Sequence, residues 1–174
     1  ENGGNNLSIN ITGTSGNNVM TGTGSAVAFH GGAGDDVLTV IGDGRNWLYG
    51  NEGNDILTAS DGGSTIWGHE GNDTLIVGNG NGNESDHLLG GTGDDLMIFT
   101  DSGTGANSLK GGEGNDIYRS TEVSGTNTII DLEAPDNVAS SANDLLDLSS
   151  YSLSDATISA IDHPYDHGDN YIDT

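Results

Sequence analysis

Apolar residues in this chain come singly or in short runs, and they recur at a fixed distance from glycine-rich polar stretches. Leu38, Leu57, Leu75, Met97 and Tyr118 each stand two residues after a Gly/Asn/Asp loop, and Met20 does the same near the N-terminus. A second set, Leu48, Ile66, Leu88, Leu109 and Ile129, falls between them, each two residues after Asn46, Ser64, Asp86, Asn107 or Asn127. An x-U-x triplet, where U is the apolar residue, is long enough for one very short strand. The glycines beside it tolerate positive φ and let the chain turn sharply. The unit is thus about nine residues, one loop and one strand, and two units make one coil of a flattened solenoid. Stacked coils put equivalent strands ~4.8 Å apart in two parallel sheets. The first apolar set is predicted to line one sheet and the second set the other, enclosing a thin core.

The loops before the first set share one hexapeptide. It reads Gly31-Gly32-Ala33-Gly34-Asp35-Asp36, Gly50-Asn51-Glu52-Gly53-Asn54-Asp55, Gly68-His69-Glu70-Gly71-Asn72-Asp73, Gly90-Gly91-Thr92-Gly93-Asp94-Asp95 and Gly111-Gly112-Glu113-Gly114-Asn115-Asp116. A degenerate copy, Gly13-Thr14-Ser15-Gly16-Asn17-Asn18, ends in Asn rather than Asp. The copies start at 13, 31, 50, 68, 90 and 111, so one coil takes 18 to 22 residues. All these loops fall on one edge of the solenoid, which aligns Asp36, Asp55, Asp73, Asp95 and Asp116 in a ladder. Carboxylates one coil apart repel by roughly 3 kcal/mol per pair at an effective dielectric near 20. A thin core does not absorb that cost, so the ladder predicts a bound cation. Carboxylates and main-chain carbonyls are hard oxygen donors in a flexible loop, which suits calcium better than magnesium with its tight octahedron.

Composition changes this picture in one respect. The chain has 174 residues, 27 Asp+Glu against 3 Lys+Arg, a formal net charge of −24, 30 Gly, no Cys, and only 32% hydrophobic residues. Such a chain cannot bury the thick core of an ordinary α/β or helical domain, and on composition alone it lies near the disordered class. A surface this acidic disfavours nucleic acid and anionic lipid as partners. No apolar run approaches the ~20 residues of a membrane-spanning helix, and no basic region followed by an apolar stretch opens the sequence at Glu1 as in an export leader. Neither disulfides nor thiolate metal sites contribute.

The motif G-[G/x]-x-G-[N/D]-D-x-U-x resembles the nonapeptide of the repeats-in-toxin (RTX) or hemolysin-type calcium-binding family, over residues from about Gly13 to Ile130. The resemblance implies an all-β, right-handed parallel β-roll with calcium between consecutive loops. In that family the earlier loop gives the carbonyls of its second and fourth positions plus its Asp. The later loop gives the carbonyls of its first and third positions plus its Asp. One ion would then use Gly32, Gly34 and Asp36 with Gly50, Glu52 and Asp55. The next would use Asn51, Gly53 and Asp55 with Gly68, Glu70 and Asp73. A third would take His69, Gly71 and Asp73 with Gly90, Thr92 and Asp95, and a fourth Gly91, Gly93 and Asp95 with Gly111, Glu113 and Asp116. A fifth, pairing Thr14, Gly16 and Asn18 with Gly31, Ala33 and Asp36, would lack one charge, which gives four to five ions. Gly112 and Gly114 complete the last loop. The family also implies a secreted, extracellular protein exported by a type I route.

The opposite edge departs from the motif. Its loops, Gly42-Asp43-Gly44-Arg45-Asn46, Asp61-Gly62-Gly63-Ser64 and the longer Gly78 to Asp86, mostly lack the final Asp, so Asn and Ser are expected to cap them, with at most a weak site near Asp43 and Asp61. Residues 1–12 are expected to form an N-terminal edge, 13–130 the roll and 131–174 a C-terminal flank. That flank, with Ile129-Ile130-Asp131-Leu132-Glu133 and Asp144-Leu145-Leu146-Asp147-Leu148-Ser149, resembles the segment after the repeats in type I secreted proteases and alginate epimerases; a cap over the open solenoid end is the plainer reading. The ending at Asn170-Tyr171-Ile172-Asp173-Thr174 reads as mid-strand and suggests a fragment.

Trp47, Tyr49, Trp67 and His87 flank inward residues and so point outward, either to a glycan or to a covering segment or domain. His163 and His167, beside Asp166 and Asp169, are spaced for a helical metal site, but Pro164 and Gly168 favour a solvated loop. His69-Glu70 is followed by no second His at metalloprotease spacing, and no G-x-S-x-G occurs, so no catalytic group is expected in this chain. The reading is a monomeric, non-catalytic calcium-folded module. The alternatives are an adhesive or carbohydrate-binding module using Trp47 and Trp67, the C-terminal module of a secreted enzyme, and, last, an ice-binding solenoid, which the irregular outer row Trp47, Thr65, His87, Ser108 and Thr128 disfavours.

Overall fold

A computed structural model describes residues 8–60, 62–78, 84–99, 106–121, 128–129 and 144–147. All regular structure among them is β: β1 (Ile9–Thr12), β2 (Val19–Thr23), β3 (Val27–Ala33), β4 (Val37–Ile41), β5 (Trp47–Glu52), β6 (Ile56–Ala59), β7 (Thr65–Glu70), β8 (Thr74–Val77), β9 (His87–Thr92), β10 (Leu96–Phe99), β11 (Ser108–Glu113), β12 (Ile117–Ser120), β13 (Thr128–Ile129) and β14 (Leu145–Asp147). The odd-numbered strands β1 to β13 lie side by side in chain order in one parallel sheet, and the even-numbered strands β2 to β14 do the same in the other. This is the parallel β-solenoid that the nine-residue repeat predicts, since each strand pairs with its equivalent one coil on.

Register follows the repeat. Leu38, Leu57 and Leu75 are paired across β4, β6 and β8, and Met97 and Tyr118 continue the row through β10 and β12. Phe29, Leu48, Ile66, Leu88 and Leu109 form the facing row. Both rows are buried, and Ile129 packs half-buried against them. Parallel pairing without offset stacks like on like, so each coil seals the core of its neighbour.

The strands are longer than x-U-x. The even strands take a second inward residue two positions on, which adds Val40, Ala59, Val77 and Phe99 to the core. Strands β3, β5, β7, β9 and β11 run into the first three positions of the glycine loop, so position 1 (Gly31, Gly50, Gly68, Gly90 and Gly111) is an inward strand residue. The loop proper shrinks to about three residues.

Pairing also runs across the expected segment boundaries. β1, within residues 1–12, pairs with β3, and β14, within residues 131–174, pairs with β12. Residues Asp61, 130–143 and 148–174 lie outside the described residues, and with them Asp131 to Glu133, the His163 and His167 pair and the C-terminal end.

Candidate metal centre

The terminal Asp of each hexapeptide is fixed by a main-chain bond from the coil before it. Asn18 N–H donates to Asp36 Oδ1 at 2.6 Å, Asp36 to Asp55 at 2.7 Å, Asp55 to Asp73 at 2.8 Å, Asp73 to Asp95 at 2.8 Å and Asp95 to Asp116 at 2.9 Å. The residue before it builds a second ladder that runs the other way. Asp35, Asn54, Asn72, Asp94 and Asn115 each donate N–H to the side-chain oxygen of Asn17, Asp35, Asn54, Asn72 and Asp94, at 2.8 to 3.1 Å. This explains why position 5 accepts only Asn or Asp: a short side chain with an oxygen is what reaches the next coil's amide.

The ladder uses one oxygen of each Asp and strands the other. Asp36, Asp55, Asp73, Asp95 and Asp116 are between 0 and 2% exposed, and the Oδ2 of each has no hydrogen-bond partner. Buried carboxylate oxygens left this way cost several kcal/mol unless something positive reaches them. Each Oδ2 points over the first glycine of its own loop. A Cβ on Gly31 would stand 2.1 Å from Asp36 Oδ2 and 2.7 Å from the carbonyl oxygen of Gly50 in the next coil. The same two distances are 2.1 and 2.8 Å at Gly50 (Asp55 Oδ2, Gly68 O), 2.1 and 2.7 Å at Gly68 (Asp73 Oδ2, Gly90 O), and 2.1 and 2.7 Å at Gly90 (Asp95 Oδ2, Gly111 O). Glycine is required because a side chain would fill the space that these oxygens face. Each cradle thus holds two acceptors and no donor.

Electrostatics agree with the geometry. With no cation bound, burial pushes the carboxyls of Asp55, Asp73 and Asp95 up to about 7, about 6 and about 8. The charges of neighbouring Asp residues add to the rise at Asp55 and Asp95. Asp36 and Asp116 are raised in the same direction, again mainly by burial. Either a proton or a cation is needed to make these groups comfortable, and at neutral pH a cation competes well.

The remaining expected donors are placed as follows. The carbonyls of Glu52, Glu70, Thr92 and Glu113 accept the N–H of Gly34, Gly53, Gly71 and Gly93 one coil earlier, at 2.7 to 2.9 Å, which leaves each a second lone pair. The carbonyls of positions 2 and 4 face the α-carbons of the equivalent positions one coil on, so that a Cβ on Gly91 would stand 2.0 Å from His69 O and one on Gly71 2.0 Å from Gly53 O. Positions 2 and 4 have positive φ in every Asp-terminated loop, including the non-glycine Asn51 (80°) and His69 (82°). No cluster of three or more His, Cys, Asp or Glu side chains suited to a metal occurs among the described residues. The oxygens that line the first four cradles are Asp Oδ2 and main-chain carbonyls, hard donors of the kind calcium takes.

Comparison with family models decides the class. The RTX calcium-binding nonapeptide repeat matches residues 12–40, 42–66, 49–83, 82–98 and 101–121. The chain belongs to this family. Its Asp-edge cradles are loops of a calcium-binding RTX repeat, as the motif implied. No curated protein and no solved structure is similar enough to count as a match.

The opposite edge, whose loops also fall within the matched residues, is held by a different set of bonds. There Val27 N–H donates to Asn46 Oδ1 at 3.0 Å, and Asp86 N–H to Asn107 Oδ1 at 2.9 Å. Ser64 N–H donates to Asp86 Oδ1 at 2.7 Å, and Gly63 N–H to Glu84 Oε2 at 2.7 Å. Asn46 Nδ2 donates to Gly44 O at 3.0 Å, so both ends of that amide are satisfied within the protein. Asp43 is exposed, and Asp61 lies outside the described residues.

The degenerate first loop behaves like this second edge. Asn18 Oδ1 accepts from Thr14 N–H at 2.7 Å, while Asn18 Nδ2 donates to Gly16 O and to Thr14 Oγ1. Its amide reaches the position-4 carbonyl, as Asn46 reaches Gly44.

Outside the edges, His30, Tyr49 and Trp67 form one stack on the outer face, with ring centroids 4.4 and 4.6 Å apart and planes within 5°. Trp67 has Leu89 as its register neighbour on the other side. Trp47 stands in the adjacent row between Ala28 and Thr65. No helix among the described residues is long and apolar enough to cross a membrane.

Proposed function

We propose that this chain is a calcium-folded, non-catalytic module of an extracellular protein exported by a type I route. The observation that carries the reading is the row of five buried Asp Oδ2 atoms without partners, each over a glycine and the first four also beside a carbonyl of the next coil. Four ions would sit between Asp36 and Asp55, Asp55 and Asp73, Asp73 and Asp95, and Asp95 and Asp116, each held by the first- and third-position carbonyls of the later loop and the second- and fourth-position carbonyls of the earlier one. The fifth ion, next to Asn18, is disfavoured because the Asn18 amide already donates to the carbonyl that such an ion would use.

The mechanism is coupled folding. Where calcium is scarce, the net charge of −24 keeps the chain expanded and threadable. Where it is abundant, ions neutralise the Asp ladder and the coils assemble, so that binding free energy becomes folding free energy. Extracellular modules bind calcium at ~10⁻⁴ to 10⁻³ M, in keeping with folding after export. The stack weighs against a glycan-binding role, since sugar recognition needs a free aromatic face and Tyr49 covers one face of Trp67. Far-ultraviolet circular dichroism of the chelator-treated chain tests the reading. A disordered spectrum that gains β signal cooperatively with calcium is expected; a β spectrum indifferent to chelator would overturn it.

A further inference from the structure

The Asp ladder continues past the last glycine loop. Asp116 N–H donates to Asp144 Oδ1 at 2.8 Å, the bond that each earlier Asp makes to the next, although 28 residues separate the two instead of 18 to 22. β14 then pairs with β12 in the register of the repeat, Ile117 with Leu145, Tyr118 with Leu146 and Arg119 with Asp147. An ion pair, Arg119 Nε to Asp147 Oδ2 at 2.9 Å, holds the two strands in place. Asp144 thus stands where a sixth repeat would put its Asp.

Asp116 is fully buried and its Oδ2 has no partner. Above it the cradle is built differently from the other four. A Cβ on Gly111 would stand 1.9 Å from Asp116 Oδ2 and 2.6 Å from Tyr118 Oη. In the earlier coils the second oxygen, at 2.7 or 2.8 Å, is the next coil's glycine carbonyl. Tyr118 is the one residue of its inward row that carries an oxygen, and its hydroxyl accepts the Gly111 N–H at 2.7 Å. Accepting that bond leaves the phenol a lone pair directed at the same space.

We propose a further calcium site between Asp116 and Asp144 in which Tyr118 Oη is one of the ligands. It rests on the reading of the Asp edge as a calcium ladder. Its consequence is that β14 docks on the last coil through a shared ion, so that closing this end of the solenoid depends on calcium as the coils themselves do.

Calcium bound at saturation, measured by equilibrium dialysis of the full chain, tests the proposal. Five ions are expected for the unaltered chain and four for Asp144→Asn, whose remaining four sites should titrate as in the unaltered chain, because an Asn Oδ1 still accepts the Asp116 N–H. Tyr118→Phe keeps the ring in the core and should weaken one site about tenfold while the others titrate as before. Equal ion counts for the unaltered chain and Asp144→Asn would overturn the proposal and leave the four-ion ladder standing, as would a Tyr118→Phe titration identical to the original. In that event the hydroxyl simply donates to Asp116 and closes the ladder without an ion. No calcium bound by the unaltered chain would remove the ladder reading itself.

Discussion

The two edges of the solenoid solve the same problem with different atoms. Each must turn the chain and satisfy a main-chain N–H of the neighbouring coil, and most loops do so with the oxygen of a buried side chain at the last position, Asp on one edge and Asn46, Asp86 or Asn107 on the other, where the expected Ser64 cap fails and its Oγ has no partner. The difference lies in the second atom. Asn46 offers an N–H₂ that donates to Gly44 O, whereas Asp55 or Asp73 offers a second oxygen with no donor in reach. One atom exchanged, nitrogen for oxygen, separates a loop whose side chain is satisfied within the protein from one that leaves an oxygen for the proposed cation. Asn18 lies on the Asp edge and still follows the Asn pattern, which shows that the side chain sets the chemistry and the edge does not.

The sharpest contrast comes from removing the side chain on each edge. Asp73→Ala leaves the buried Asp55 N–H without its acceptor and deletes the carboxylate shared by two proposed ions. It should raise the calcium midpoint at least about tenfold and cost roughly 3 to 5 kcal/mol in calcium, as loss of a buried charged partner does. Asn46→Ala strips Val27 N–H of its acceptor, costs about 1 to 3 kcal/mol, and should raise the calcium midpoint only about two- to threefold, because it removes no ligand and its cost is shared over all the ions. Calcium titrations and thermal melts of the two variants check this; equal shifts in midpoint would erase the distinction between the edges.

Glycine positions give a second contrast. A Cβ at Gly68 would meet Asp73 Oδ2 at 2.1 Å and Gly90 O at 2.7 Å, whereas one at Gly16 would meet nothing within 4 Å. Gly68→Ala should cost about 2 to 3 kcal/mol in calcium by crowding backbone and carboxylate, and Gly16→Ala should be neutral or slightly stabilising. Comparison of their melting temperatures in calcium would show it.

Protons offer a third. The folded-state carboxyls of Asp55, Asp73 and Asp95 stand at about 7, 6 and 8 without a cation, above the ordinary 3.8. The folded chain then binds more protons than the unfolded one between about pH 4 and 8. In chelator, stability should rise as pH falls from 8 toward 4, a proton on Oδ2 serving where calcium would. In calcium the same protonation competes with the ion, so the calcium midpoint should rise as pH falls. Titrations at pH 5 and pH 8 test both signs. The smallest effect expected is at His69, held at a φ of 82°. His69→Gly should change stability by no more than about 1 kcal/mol, in the stabilising direction, as read from melts in calcium.

Much of this arrangement was legible in the sequence. The nine-residue period places Leu38, Leu57, Leu75, Met97 and Tyr118 in one buried row and Leu48, Ile66, Leu88 and Leu109 in the other, because parallel in-register stacking turns sequence period directly into contact. The Asp ladder was legible for the same reason. Strand length was not, because glycines at position 1 read as turn although their backbone continues the strand. The position-5 ladder was hidden as well, since Asn or Asp before Asp looks like ordinary loop composition until its oxygen is seen on the next coil's amide. Asp144 was masked by the loss of its glycines; the fragment Asn143-Asp144-Leu145-Leu146 keeps the tail of the repeat, and that tail is the signal that would have found it. Tyr118 passed as one more core residue, and only the position of its hydroxyl over Gly111 separates it from Leu and Met.

The central claim is that a second carboxylate oxygen, and nothing else about the edge, makes this fold depend on calcium. Replacing Asp36, Asp55, Asp73, Asp95 and Asp116 together by Asn keeps every Oδ1 acceptor and supplies an amide that can donate as Asn46 does. Circular dichroism of that variant in chelator is the most direct measurement. The account predicts a β spectrum without calcium, unchanged on adding it; a variant that still needs calcium to acquire β structure, or that acquires none with or without it, would contradict the account.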